Sequence, residues 1–145
     1  MATAERTAST TWEGDLPKGR GTVTVNSGAM GDLPVTWASR TERSEGKTSP
    51  EELIAAAHSS SFSMALSNVL AQGGNPPERL HVTSTVTFDS GQGKVTESRI
   101  AVRGRVPGMD DAAFQEAVRT AEQGCPVSNA LRGNLEMPVD AALES

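Results

Sequence analysis

Several residue types are scarce in this chain of 145 residues, and each scarcity excludes something. Cys125 is the single cysteine, which excludes an internal disulfide and a cysteine zinc cluster and fits a reducing cytoplasm. There is no tyrosine, and phenylalanine and tryptophan together number five. The core must therefore be built from Val, Leu, Ala and Met, and a homodimer would stabilise it by burying further surface.

Basic residues are outnumbered by acidic ones, which gives a net charge of −5. A protein with this balance is not expected to bind nucleic acid. Residues 1–6 lack an apolar run, so no signal peptide is expected there. At this length the chain is expected to form a single domain over residues 1–145.

Charged residues are also absent from Leu53 to Pro77. Ser49, Pro50 and two acidic residues precede this stretch, and together they predict a helix start, with Glu52 closing a capping box onto Ser49. Five serines and a histidine within the stretch make a membrane span costly. Because the helix has no charged face to present to water, we expect it to be central and buried against strands, helices or a second subunit.

The rest of the chain predicts strands and helices in separate blocks. Alternation predicts strands over 8–14, 20–26 and 33–38, a charged loop over 40–49, and a long antiparallel ribbon from 80–88 and 95–106. An amphipathic helix is predicted over 112–123, a short helix from Pro126, and a final strand over 135–142. This order indicates the α+β class, with the central helix packed on an antiparallel sheet.

Few residues could carry chemistry. Cys125 precedes a helix that begins with a proline, a position that favours the thiolate, although lone cysteines are often only small buried residues. Ser61 lies among other serines, with His58 as a conceivable base, but no nucleophile-elbow motif surrounds it. His58 and His81 lack a third metal ligand at useful spacing.

The side chains near the helix start differ from this background. Glu51 is left free when Glu52 caps the helix, and Arg40 and Arg43, just upstream, are its possible partners. They form either weak ion pairs in a solvated loop or a fixed guanidinium directed at a thiolate or a peroxide.

Several motifs together resemble the OsmC/Ohr family of hydroperoxide reductases, and most resemble its OsmC branch. They are Trp12-Glu13-Gly14, Gly19-x-Gly21-Thr22-Val23, Ser27-Gly28, Ser49-Pro50-Glu51-Glu52-Leu53-Ile54, Ala56-Ala57-His58, Phe62-Ser63-Met64-Ala65-Leu66-Ser67 and Gly124-Cys125-Pro126-Val127-Ser128. The resemblance implies an intertwined α+β homodimer without a metal or organic cofactor, whose sites lie at the dimer interface. A peroxidatic and a resolving cysteine, an arginine and a glutamate carry the reaction.

Carried over by residue, Cys125 matches the resolving cysteine and Glu51 the glutamate, while Arg40, or less closely Arg20, matches the arginine. The peroxidatic position falls on Ser61, and a hydroxyl cannot become a sulfenic acid. Two origins fit Ser61: a Cys→Ser substitution in an active peroxidase, which the otherwise complete set of residues favours, or a natural relative that has lost the reaction.

The resemblance therefore implies a cytoplasmic reductase of organic hydroperoxides, and of hydrogen peroxide to a lesser degree, that is reset by an external dithiol. The form with Ser61 is expected to be inactive. The alternative is a non-catalytic relative that binds an apolar ligand at the dimer interface. Ten residues of one helix span about 15 Å, so Glu51 and Arg40 are expected to serve position 61 of the partner subunit.

Overall fold

The computed structural model describes residues 2–144. They divide into two compact units, Met1–Leu53 and Ile54–Ser145, and the helix Pro50–Gln72 begins in the first and continues into the second. The expectation of one domain over 1–145 stays a prediction.

The N-terminal unit contains a three-stranded antiparallel sheet. Its strands β1 (Ala8–Glu13), β2 (Arg20–Val25) and β3 (Leu33–Val35) lie in chain order. Gly21 on β2 faces Trp12 and Val35 so closely that an added Cβ would approach their side chains to 2.8 and 2.9 Å. A glycine is therefore required there for the three strands to pack.

A short helix, α1 (Trp37–Thr41), follows the sheet. The predictions of a strand over 33–38 and of a loop from 40 are therefore wrong in part, because the strand ends at Val35. Thr36 caps α1 in a reciprocal capping box with Ser39, with hydrogen bonds of 3.0 and 2.9 Å. Five residues are too few for an apolar period to be visible in the sequence.

The central helix, α2, runs over Pro50–Gln72, and its predicted start is confirmed. The Glu52 amide donates to Ser49 Oγ at 3.1 Å. The Glu52 carboxylate accepts a hydrogen bond from the Thr48 hydroxyl at 2.8 Å, and in this respect it departs from the predicted capping box.

In the C-terminal unit, α2 packs on a three-stranded sheet. Strands β4 (Arg79–Asp89) and β5 (Lys94–Arg105) form the predicted antiparallel ribbon. Strand β6 (Val139–Leu143), which begins later than predicted, pairs with β5 in parallel. The sheet under the central helix, predicted to be antiparallel, is therefore a mixed one.

The helices α3 (Asp111–Gly124) and α4 (Pro126–Leu131) complete this unit, as predicted. Asp110 caps α3 through a hydrogen bond from the Ala113 amide at 2.9 Å. The buried core joins α2, β5 and α3 and consists of Phe62, Leu66, Leu70, Ile100, Val102, Val106, Phe114, Ala117, Val118, Ala121 and Cys125.

The two faces of α2 differ within a single chain. His58, Phe62, Leu66 and Leu70, at intervals of four residues, are buried. Ala56, Ser60, Met64 and Asn68 form an outer stripe that is exposed, with Met64 at 73%. The helix is thus buried, as predicted, on one face, while its other face is uncharged and exposed to solvent.

Candidate functional site

Two of the predicted site residues meet in the C-terminal unit. Cys125 is both the last capping residue of α3 and the first capping residue of α4, and its side chain is completely buried. Ser61 lies on α2, and its Oγ is 3.4 Å from Cys125 Sγ. The fold therefore brings together two positions that are 64 residues apart in the chain.

The surroundings of Cys125 favour its ionised form. Burial acts to raise the pKa of the Cys125 thiol, but hydrogen bonds to the side chains of Ser128 and Ser61 and to the backbone of Ser128 and Val127 lower it. The hydrogen bonds outweigh burial, and the pKa lies below its ordinary value. The Ser128 amide donates to the sulfur at 3.5 Å. Hydrogen bonds to the sulfur therefore support the thiolate character that the position before Pro126 predicts.

The contact between Ser61 and Cys125 defines the chemistry open to this pair. A disulfide requires a sulfur–sulfur bond of about 2.0 Å and side chains that approach each other. Two side chains whose terminal atoms are already 3.4 Å apart satisfy the second requirement. A sulfur at position 61 could thus pair with Cys125, whereas the Ser61 oxygen has no corresponding redox chemistry.

The other two predicted residues meet in the N-terminal unit. The Arg40 Nη2 and Nε atoms donate to Glu51 Oε2 and Oε1 at 2.9 and 3.1 Å. The Glu51 side chain is 7% exposed and that of Arg40 is 29% exposed. The carboxylate is therefore held by a forked, largely dehydrated ion pair, which is a stronger arrangement than a surface pair.

Local structure fixes this ion pair from both sides. Arg40 lies in the last turn of α1 and its guanidinium is 5.8 Å from the centre of the Trp37 ring, while Glu51 lies in the first turn of α2. Of the two arginines considered from the sequence, Arg40 is the one that binds Glu51. Arg20 is exposed on β2.

An apolar pocket of about 670 Å³ opens beside Arg40 in the same unit. Trp12, Leu16, Val35 and Trp37 contribute to its walls. The Arg40 guanidinium is thus held in place by Glu51 and borders an apolar cavity. An organic molecule with a polar end could be held there by both.

His58 is a residue whose environment the sequence did not disclose. It is buried, and its Nδ1 and Nε2 atoms lie 2.6 Å from Ser98 Oγ and 2.8 Å from Ser128 Oγ. Burial lowers the pKa of His58, so that its neutral form is favoured. The ring is therefore bonded to these two serines, and not to Ser61 as the conceived base. A polar residue in an apolar helical stripe was the only signal in the sequence.

Within residues 2–144, no group of three or more His, Cys, Asp or Glu side chains is arranged to hold a metal ion. No described helix is long and apolar enough to cross a membrane.

Comparisons with known proteins agree with one another. The family model described as OsmC-like protein matches residues 43–140. Peroxiredoxin OsmC of Escherichia coli K12 is 39% identical over 136 residues, which cover 92% of this chain and 93% of that protein. The organic hydroperoxide resistance protein of Xanthomonas axonopodis pv. citri is 39% identical over 104 residues, covering 66% and 67% of the two chains.

A similar fold occurs among solved structures. The crystal structure of an organic hydroperoxide resistance protein from Elizabethkingia anophelis matches with a TM-score of 0.72 and 25% identity. The match covers 99% of this chain and 100% of that one. The α+β architecture expected from the sequence is therefore confirmed.

Proposed function

The chain belongs to the OsmC family, and from this premise we propose that its scaffold is that of a thiol-dependent hydroperoxide reductase. Its relatives named peroxiredoxin and organic hydroperoxide resistance protein support a role in removing hydroperoxides. The observation that carries the finer proposal is the 3.4 Å contact between Ser61 Oγ and Cys125 Sγ. This contact supports Cys125 as the disulfide partner of a thiol at position 61.

The proposed reaction needs a thiol at position 61. Its thiolate attacks the distal oxygen of the hydroperoxide, the O–O bond breaks, and the alkoxide takes a proton to leave as an alcohol. The sulfenic acid formed at position 61 condenses with the Cys125 thiol to give a disulfide and water. An external dithiol then reduces that disulfide.

Arg40 and Glu51 have supporting roles in this proposal. The guanidinium stabilises the thiolate at position 61 of the partner subunit and the developing alkoxide, and Glu51 holds the guanidinium in place. The forked geometry of the pair and the low exposure of Glu51 support such a fixed orientation. The apolar pocket beside Arg40 supports organic hydroperoxides as the substrates.

We further propose that the protein is a homodimer in the cytoplasm. The outer stripe of α2, which includes Ala56, Ser60, Met64 and Asn68, is exposed and uncharged in a single chain. A second copy of the chain would cover it and would raise the stability of a modest core. The single cysteine suits a reducing compartment.

Restoring a thiol tests the proposed reaction. The chain with Ser61 should have no peroxidase turnover with a dithiol reductant, and Ser61→Cys should gain turnover by several orders of magnitude. Ser63→Cys is the matched control, because it places a new thiol on the same helix where the Ser63 hydroxyl bonds to the Ser60 carbonyl. Equal activity of the unchanged chain and Ser61→Cys would refute the proposal.

A second candidate function follows from the pocket beside Arg40. Trp12, Leu16, Val35 and Trp37 would also suit a non-catalytic protein that carries an apolar ligand. The same assay separates the two functions. If Ser61→Cys folds, keeps the ligand-binding pocket and still fails to reduce any hydroperoxide, the binding function is the one that remains.

A further inference from the structure

Two side-chain contacts join α2 to the segment around Cys125. His58 Nε2 lies 2.8 Å from Ser128 Oγ, and Ser61 Oγ lies 3.4 Å from Cys125 Sγ. His58 and Ser61 are about one helical turn apart on α2, and Cys125 caps the helix α4 to which Ser128 belongs. The two contacts are therefore neighbours, and the first of them is placed to set the distance across the second.

His58 is fixed on its other side as well. Its Nδ1 atom lies 2.6 Å from Ser98 Oγ on β5, and Ser98 Oγ lies 2.9 Å from Ser84 Oγ on β4. His58 is 1% exposed, and its ring stands edge-on to that of Phe62, with the ring centres 6.5 Å apart. The imidazole therefore has a defined position relative to both the sheet and the helix.

Ser128 connects this imidazole to the sulfur of Cys125. Its side chain contacts His58, while its backbone amide donates to Cys125 Sγ at 3.5 Å. Both Ser128 and Cys125 are buried. A shift of Ser128 away from His58 would therefore displace the first turn of α4 and, with it, the sulfur that this turn holds.

We propose that His58 is a positioning residue that, through Ser128, holds Cys125 Sγ within reach of the side chain at position 61. His58 does not touch the sulfur, so its role is geometric. The inference rests on the proposed function for the disulfide between a thiol at position 61 and Cys125, and it names the residue that sets the geometry of that disulfide.

The geometry matters because a disulfide has narrow requirements. The sulfur atoms must come within about 2.0 Å of each other, with a restricted torsion angle about the bond. A small displacement of α4 would keep both thiols in the protein but lower the effective concentration of one thiol at the other. Effective concentration is therefore the quantity that reports the role of His58.

Glutathione buffers measure this quantity in Ser61→Cys. The two protein thiols give two electrons and two protons to oxidised glutathione, and the products are the protein disulfide and two molecules of reduced glutathione. The ratio of oxidised to reduced protein at equilibrium gives the effective concentration. This measurement uses no hydroperoxide, so its result does not depend on peroxidase turnover.

Two replacements of His58 separate its two contacts. Both amides offer a donor and an acceptor, but a Gln side chain ends near the position of Nε2 and an Asn side chain near that of Nδ1. In the Ser61→Cys background, His58→Gln should keep the contact with Ser128 and the effective concentration, while Ser98 still bonds to Ser84. His58→Asn should lose the contact with Ser128 and lower the effective concentration by about tenfold.

Two more variants distinguish this role from packing. Leu70→Ala is the matched control, because Leu70 is buried on the same face of α2, about two turns beyond Ser61, and it should leave the effective concentration unchanged despite the lost stability. Ser128→Ala should reproduce the effect of His58→Asn. The two changes together should lower the effective concentration no further than either alone, because they remove the same contact.

An unchanged effective concentration in Ser128→Ala would overturn the proposal, as would an equal loss in Leu70→Ala. Ser128→Ala removes a single hydroxyl and keeps the amide that donates to the sulfur, so it serves as the second variant should His58→Asn fail to fold. Full additivity of the two changes would also count against the proposal.

The chain with Ser61 provides an independent measurement. Cys125 is its sole cysteine and is completely buried, so modification by a thiol reagent reports the opening of this segment alone. Ser128→Ala should raise the modification rate about tenfold, and this rise should already be present without urea, as expected of a local opening. A rise that appears only in urea would indicate global unfolding and contradict the proposal.

The two proposals fail separately. If Ser61→Cys has no peroxidase activity, the proposed function fails, and the glutathione equilibrium still tests His58. If Ser61→Cys forms no disulfide, the second step of the proposed function fails, and the modification rate of Cys125 in Ser128→Ala decides the role of His58: a tenfold rise supports it, and an unchanged rate refutes it.

Discussion

Replacing Arg40 by alanine should destabilise the protein far more than its surface position suggests. The substitution leaves the Glu51 carboxylate, 7% exposed, without its charged partner. Removing one partner of a fully buried ion pair costs about 3–5 kcal/mol. Because the Arg40 side chain is 29% exposed, we expect loss of the ion pair to cost somewhat less than that range, about 2–3 kcal/mol. Loss of the contact with the Trp37 ring adds about 0.5 kcal/mol. We expect a total of about 3 kcal/mol.

Glu51→Gln should cost less, about 1 kcal/mol, because the more exposed guanidinium can turn to water and the amide oxygen still accepts a hydrogen bond. The double variant Arg40→Ala/Glu51→Gln should lose less than Arg40→Ala alone, since no carboxylate is then left unpaired. The coupling energy of this cycle is expected to be about 2 kcal/mol.

Urea unfolding at one fixed protein concentration measures these differences, since a dimer makes stability depend on concentration. Arg119→Ala is the matched control. Arg119 pairs with Glu116 at 2.7 Å, but the two side chains are 63% and 69% exposed, so its loss should cost less than about 0.5 kcal/mol. Equal costs for Arg40→Ala and Arg119→Ala, or strict additivity in the double variant, would refute the reasoning.

Two further predictions concern assembly. Sedimentation should show a dimer at micromolar concentration, because the uncharged outer stripe of α2 is exposed in a single chain, and a folded monomer would contradict this. A mixed dimer should show whether the site is shared: one subunit carries Ser61→Cys, Glu51→Ala and Arg40→Ala, and the other is unchanged. It should keep half the activity of the Ser61→Cys homodimer if Glu51 and Arg40 serve the partner, and no activity if each subunit builds its own site.

Elements with a strong local pattern were predictable from the sequence. The ribbon of β4 and β5 alternates in composition, and the start of α2 carries a cap, a proline and acidic residues, so these features follow from local rules. Helix α1 was missed because five residues are too few to show a helical period of apolar side chains, although Thr36 and Ser39 form its capping box. The parallel pairing of β6 was missed because strand direction depends on the return path of the chain, which is not a local property.

The site could be predicted only in part for the same reason. The resemblance to the family named Ser61, Cys125, Arg40 and Glu51, and the structure shows which of them touch. The sequence could not choose between Arg40 and Arg20, since that choice depends on α1. It could not find the partners of His58 either, because Ser98 and Ser128 lie 40 and 70 residues away along the chain.

The N-terminal unit buries few apolar side chains, and this affects its local stability. All six residues of β1 are exposed, and Val23 is the one buried apolar side chain among residues 2–53. Local unfolding of this sheet therefore exposes little apolar surface and requires little free energy, so its backbone amides should exchange hydrogen early. The ion pair between Arg40 and Glu51 therefore lies in a part of the molecule with little apolar packing, and we expect it to contribute a large share of the local stability there.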